Sequence, residues 1–194
     1  TIIEIERPAP TPTLAPAKQR ILDPADVLFY DEGIRAVGVD RLISASSVTK
    51  ATFYKHYGSK DRLIGDYVAL RHRKAVVEIA ELVEQFGDPE AVLRALQETI
   101  CTSISSSEFR GCAFINAAAE FSDPTHPVRR SVVAHREWLV GAFEQLLRSM
   151  GHPLPGEAAD DLVLARDGAM TGGYAGDPIA ASTALARAFD RVIG

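Results

Sequence analysis

The run Val39-Asp40-Arg41-Leu42-Ile43 leads, across Ser47-Val48, into Thr49-Lys50-Ala51-Thr52-Phe53-Tyr54-Lys55-His56-Tyr57-Gly58-Ser59-Lys60, and it decides how the rest of the chain is read. Val39, Leu42 and Ile43 have helical spacing; they begin a short helix after Gly38 that ends near Ser46. A break at Ser47-Val48-Thr49 opens a second short helix. Gly58 terminates it and Ser59 is placed to cap the next one. Two short helices joined by a tight turn, the second rich in Lys, Thr, Tyr and His, form a helix-turn-helix pattern. Leu42, Ile43, Val48 and Phe53 are apolar where the pair must pack. Thr49 is the N-cap of the second helix, whose amides and positive dipole end can meet phosphate. Lys50, Thr52, Tyr54, Lys55 and His56 project from the other faces, with donors for phosphates and base edges. Tyr57 closes the helix, and Lys60 stands in the first turn of the next.

Outward from this core the chain reads as helices. The stripe Ile21, Leu22, Ala25, Leu28, Phe29 predicts a first helix from about Lys18 to Gly33, kinked at Pro24. A long fourth helix is predicted over 60–86, followed by 89–106, a short piece near 108–119, 125–150, 157–175 and 178–193. The dipeptides Asp23-Pro24, Asp88-Pro89, Asp123-Pro124 and Asp177-Pro178 each read as an N-cap followed by a proline at the first helical position. About nine helices and no convincing strand make the fold all-α. Residues 1–17, with four prolines and no helical stripe, read as a flexible tail. The expected division is a tail over 1–17, a helix-turn-helix DNA-binding domain over 18–62, and a larger helical domain over 63–194.

Composition agrees with a globular protein: of 194 residues, 46% are hydrophobic and 24% charged, which excludes wholesale disorder. No run of 18 apolar residues exists, so no membrane span is expected. Residues 1–17 lack a basic start followed by an apolar core, so no secretory signal is expected there. The chain starts at Thr1 rather than Met, which makes processing or trimming the expected reason. Two cysteines without CxxC spacing point to a reducing, cytoplasmic home and to no zinc site. The net charge of −5 is unevenly spread: residues 18–74 hold eleven Lys and Arg against seven Asp and Glu, a balance of +4, while the remainder holds ten against nineteen, −9. A basic first third on an acidic body is what one module facing a polyanion produces.

The arrangement resembles the DNA-binding domain of the TetR (tetracycline repressor) family of bacterial transcriptional regulators. The matching stretches are Leu28-Phe29-Tyr30-Asp31-Glu32-Gly33, Val39 to Ile43, and Val48 to Ile64. A looser likeness covers Arg110 to Phe121 and His126-Pro127-Val128-Arg129. The resemblance implies a homodimer joined by the last two helices, with an effector pocket in each subunit, and so assigns effector binding and dimerisation to the domain over 63–194. The chain departs from the family pattern at Ser47, where the family usually has Gly and where a left-handed turn would strain Ser, at Gly38, and at Pro24.

The candidate DNA-contacting set is Lys18, Gly38, Thr49, Lys50, Ala51, Thr52, Tyr54, Lys55, His56 and Lys60. Candidates for a mostly apolar effector pocket are Phe109, Phe114, Phe121, Trp138, Met170 and Tyr174, with Asn116 and His135 as orienting polar groups; each can equally be plain core or a satisfied buried polar group. The run Gly168, Ala169, Gly172, Gly173, Ala175, Gly176 reads either as a close backbone approach or as a frayed helix end. The stripe Leu162, Ala165, Ala169, Ile179, Leu185, Ala186, Phe189, Ile193 is the expected dimer contact. No GxSxG, phosphate loop, HExxH or GxGxxG is present, so no enzyme and no cofactor are expected. The expected function is an effector-responsive DNA-binding regulator, a repressor on a pseudo-palindromic double-stranded operator, released by a small apolar molecule. The competing reading is an all-α small-molecule-binding protein or enzyme that keeps the helix-turn-helix as scaffold. A third is redox sensing by Cys101 and Cys112.

Overall fold

A computed structural model describes residues 15–194; most of the expected tail, residues 1–14, lies outside them. Among the described residues the fold is all-α: α1 (Pro16–Glu32), α2 (Val39–Ser46), α3 (Lys50–His56), α4 (Lys60–Phe86), α5 (Pro89–Ile104), α6 (Ala113–Glu120), α7 (Pro127–Ser149), α8 (Pro155–Ala175) and α9 (Pro178–Ile193). No helix among them is long and apolar enough to cross a membrane.

The chain forms two compact units. One reaches to Arg73 and also takes in Ala113–Val133; the other holds Lys74–Cys112 and Ala134–Gly194. Helix α4 therefore contributes its first half to one unit and its second half to the other.

In the first unit α1 packs on α2 and α3. Ile21, Leu22, Ala25, Leu42 and Phe53 are fully buried, as the helical stripe requires. Tyr67 of α4 meets Phe29 edge to face, with centroids 5.4 Å apart. Arg71 bonds the carboxylate of Asp26, and its guanidinium lies 4.5 Å from the Tyr30 ring and 5.5 Å from the Tyr67 ring. Pairing and the two ring faces together offset the cost of burying these charges.

Two of the four expected Asp-Pro caps form. Asp88 accepts from the Ala91 amide at 2.9 Å, and Asp177 accepts from the Ile179 and Ala180 amides at 2.8 and 3.1 Å. Asp23 is not a cap, because α1 already starts at Pro16; it lies inside the helix and accepts from the Gln19 side chain. The helix runs on through Pro24. Asp123 instead holds a turn, accepting from the amide and hydroxyl of Thr125, both at 2.8 Å, and these bonds hold its carboxyl below the usual range. Helix α7 begins four residues later. Helix α6 starts at Ala113 rather than near 108, after Gly111 takes a left-handed φ of 81°.

The second unit is built around Phe143, Leu146, Leu147, Leu162 and Phe189, with α8 packed on both α9 and α5. The small-residue run is no frayed end, since α8 continues to Ala175. A Cβ on Gly173 would come within 2.4 Å of Ile104 Cγ2, so this glycine lets α8 approach α5 closely. The expected dimer stripe is largely spent inside the protomer: Leu162, Leu185, Phe189 and Ala169 are buried. Ile179 of α9 stays exposed, as do Leu164 and Tyr174 of α8.

Candidate functional site

The α2–α3 turn is set by its hydrogen bonds. Ser47 adopts φ 51° and ψ 40°, the left-handed conformation anticipated for it and the sole such non-glycine residue among those described. Its amide donates to Ser44 O, and the Val48 amide donates to Ile43 O, which closes α2 in a tight reversal. Thr49 then takes an extended conformation, and its Oγ1 accepts from the Thr52 amide at 3.1 Å. The same oxygen lies 2.9 Å from Thr52 Oγ1, so the two hydroxyls hold each other at the start of α3.

Burial separates the faces of α3. Phe53 and Tyr57 are buried, while Thr49, Lys50, Ala51, Tyr54 and Lys55 are exposed and Thr52 and His56 are half-buried. Lys50 Nζ lies 3.9 Å from Asp40, a carboxylate that is itself 91% exposed, so salt and solvent weaken the pair. The Tyr54 ring packs edge-on against Phe53, 5.4 Å between centroids, leaving its outer edge to solvent. Gly38 is exposed at the N-cap of α2.

The two outlying lysines are tied to their own unit. Lys18 lies 5.0 Å over the Tyr57 ring and pairs with Asp66 at 3.6 Å. The Tyr57 hydroxyl donates to Lys18 O at 3.3 Å, and burial, aided by Asp66, raises its pKa far above the usual range. Lys60 Nζ stands 5.9 Å over the Phe29 ring, and burial lowers its pKa against the opposing pull of Glu120 and Asp61.

One contact absent from the sequence reading fixes the α1–α2 connection. Glu120, the last residue of α6, accepts from the Ile34 amide through Oε1 at 2.8 Å and from the Arg35 amide through Oε2 at 2.6 Å. Gly33, at φ 94°, turns the chain so that both amides face the carboxylate. The Arg35 guanidinium lies 5.4 Å from the ring of Phe121, which stacks on His126 at 4.4 Å.

The second unit contains a cavity of about 120 Å³, lined by Ala75, Glu78, Ile79, Leu96, Thr99, Ile100, Ser103, His135, Leu139, Phe143, Arg166 and Met170. Of the eight candidate pocket residues, His135 and Met170 line it. Trp138 packs beside His135, 5.5 Å between rings. Phe109 joins the unit's core, and Tyr174 is 55% exposed. Phe114, Asn116 and Phe121 belong to the other unit, on α6 and just after it. Glu78, Arg166, Thr99 and Ser103 were not anticipated, because single polar residues on long helices read as solvated surface. Arg166 bonds Asp167 at 2.7 Å, and both its terminal nitrogens lie 3.8 Å from the buried Cys112 Sγ. Cys101 directs its thiol to Ser182 O, at 3.7 Å; both cysteines are free thiols.

Comparison with known proteins agrees with this geometry. The profile described as "Bacterial regulatory proteins, tetR family" matches residues 21–67, which span the helix-turn-helix and its flanks. The crystal structure of a TetR-family transcriptional regulator from Streptomyces coelicolor is 38% identical, covers 91% of this chain and 94% of its own, and superposes with a TM-score of 0.87. The HTH-type transcriptional regulator LmrA of Bacillus subtilis is 28% identical over 138 residues, 70% of this chain and 73% of its own length. The HTH-type transcriptional repressor DhaR of a Mycobacterium species is 24% identical over 132 residues, 68% of this chain and 66% of its own.

Proposed function

This chain belongs to the TetR family of bacterial transcriptional regulators, a family of non-enzymatic DNA-binding proteins that act as dimers and respond to small molecules, and on that premise we propose that it is a repressor released from its operator by a small, largely apolar effector. The observation that carries this reading is the outward face of the capped helix α3, where Lys50, Lys55, Tyr54 and Thr49 stand exposed and the half-buried Thr52 hydroxyl meets that of Thr49. Lys50 and Lys55 anchor phosphates. Thr49, Thr52 and Tyr54 reach groove edges, with Ala51, His56 and Gly38 completing the contact surface. Lys18 and Lys60 flank it, their ammonium groups steadied by Tyr57 and Phe29.

Two recognition helices, one per subunit, would enter successive major grooves about 34 Å apart on a pseudo-palindromic site. The subunits join through α8 and α9, where Leu164, Tyr174 and Ile179 remain exposed. The working division is a DNA-binding domain over 18–62 and an effector-binding and dimerisation domain over 63–194, with α6 attached to the former through Glu120. The cytoplasm is the proposed location, since a reducing compartment suits two free thiols.

The effector acts by binding one conformation more tightly than the DNA-competent one, which is the sole way a ligand can shift the equilibrium. Selection of bound fragments from genomic DNA, followed by gel shift on the recovered site, tests the reading. A two-fold related site bound by the dimer is expected; failure to enrich any sequence refutes it.

A further inference from the structure

The cavity among α4, α5, α7 and α8 is walled mainly by hydrocarbon: Ile79, Leu96, Ile100, Leu139, Phe143 and Met170. Its volume of about 120 Å³ is close to that of apolar cavities that take a single benzene-sized ring. Two charged side chains break this wall, and their situations differ.

Arg166 is already bonded, to an Asp167 that also pairs with Arg136. Its guanidinium bonds Asp167 at 2.7 Å and turns both terminal nitrogens to the Cys112 sulfur. Glu78, by contrast, has no hydrogen bond and no ion pair among the described residues. It lines the cavity while staying exposed, so it stands where the cavity meets solvent. Partial desolvation against the cavity wall raises its pKa, with Arg166 opposing and Glu81 adding to the rise.

An anion entering this space would face the carboxylate of Glu78 and would have to displace Asp167 from Arg166. A neutral ligand would leave the carboxylate unpaired. A cation supplies the bonded partner that Glu78 lacks, Arg166 being held by Asp167. We propose that the cavity takes a small organic monocation, an amine with a body of about one ring, whose ammonium pairs with Glu78 while the ring lies against Leu139, Phe143 and Met170. This rests on the proposed release by a small, largely apolar effector, places that effector in this cavity, and adds to it a single basic nitrogen.

Titration calorimetry of the full chain with three isosteric probes, benzylamine, benzyl alcohol and benzoate, tests the assignment. Benzylamine is expected to bind most tightly and benzoate least. The Glu78→Gln variant should weaken benzylamine by about tenfold or more, the loss of one ionic partner. Benzoate binding more tightly than benzylamine overturns the proposal, as does a Glu78→Gln variant with unchanged benzylamine affinity. Benzyl alcohol binding without benzylamine overturns the cationic assignment yet leaves the cavity as an effector site; binding of none of the three overturns both. Should Glu78→Gln fail to fold, the wild-type ranking decides alone.

Discussion

Replacing Glu120 by Ala removes the acceptor for two consecutive amides, Ile34 and Arg35, which lie 86 and 85 residues away in the chain. Hydrogen bonds to a charged group contribute about 1.5–3 kcal/mol each. One of these amides is exposed and can turn to water, so the pair together is expected to be worth about 2 kcal/mol. For a chain of this length that is a fall in Tm of about 4–8 °C. Glu120→Gln keeps one carbonyl acceptor but points an amide NH₂ at the second N–H, so about half the loss should remain. The fall in Tm alone would not locate the effect. Hydrogen exchange does: Ile34 and Arg35 should exchange about thirtyfold faster, the equivalent of about 2 kcal/mol. Because the same turn leads into α2, DNA affinity should fall with it. Unchanged Tm together with unchanged exchange at both amides would show that the carboxylate does not hold the turn.

Three further outcomes follow from the same geometry. Ser47→Gly relieves a left-handed backbone that costs an L-residue about 1–2 kcal/mol, partly offset by the extra freedom of unfolded Gly, so denaturant titration should show up to about 1 kcal/mol of added stability; a loss would refute the strain. Gly173→Ala forces a Cβ to within 2.4 Å of Ile104 Cγ2 and should cost about 1–3 kcal/mol by the same assay, whereas an unchanged midpoint would mean α8 yields freely. The raised pKa of Glu78 means that ionising it destabilises the folded state, a penalty that is absent when the carboxyl is protonated and grows as pH rises through the ordinary glutamate range. The Tm of Glu78→Gln minus that of the wild type should therefore be more positive at pH 7 than at pH 4, and a difference independent of pH would contradict the assignment.

The helix-turn-helix was legible because local chemistry specifies it. Thr49 caps α3 with its own hydroxyl, Leu42 and Phe53 bury at helical spacing, and Ser47 takes the left-handed turn that its place between two short helices demands. The caps at Asp88 and Asp177 form for the same local reason. At Asp23-Pro24 the cap signal conflicted with the stripe, and the stripe decided correctly: Ile21 and Leu22 already belong to a helix that opens at Pro16 and runs through Pro24. Contacts made across long sequence separation left no such trace. Glu120 read as the end of a short helix, and its two amide partners lie in a loop far upstream. The cavity was half legible: His135 stands out as a polar residue on an apolar stretch and does line it, but Glu78 and Arg166 look like ordinary charges on helix surfaces until α4 and α8 are brought together. Phe114, Asn116 and Phe121 fall in the unit that holds the helix-turn-helix, a placement that apolar spacing does not reveal because it does not say which of two cores a short helix joins.

In the proposed function α3 grips a duplex through outward cations and hydroxyls. The most direct measurement is the salt dependence of binding to the selected operator, compared between the wild type and a Lys50→Ala, Lys55→Ala double variant. Each phosphate contact contributes about −0.9 to the slope of log K against log salt, so the double variant should bind more weakly and with a slope shallower by up to about 2. Wild-type binding that ignores salt, or a double variant with an unaltered slope, would contradict it.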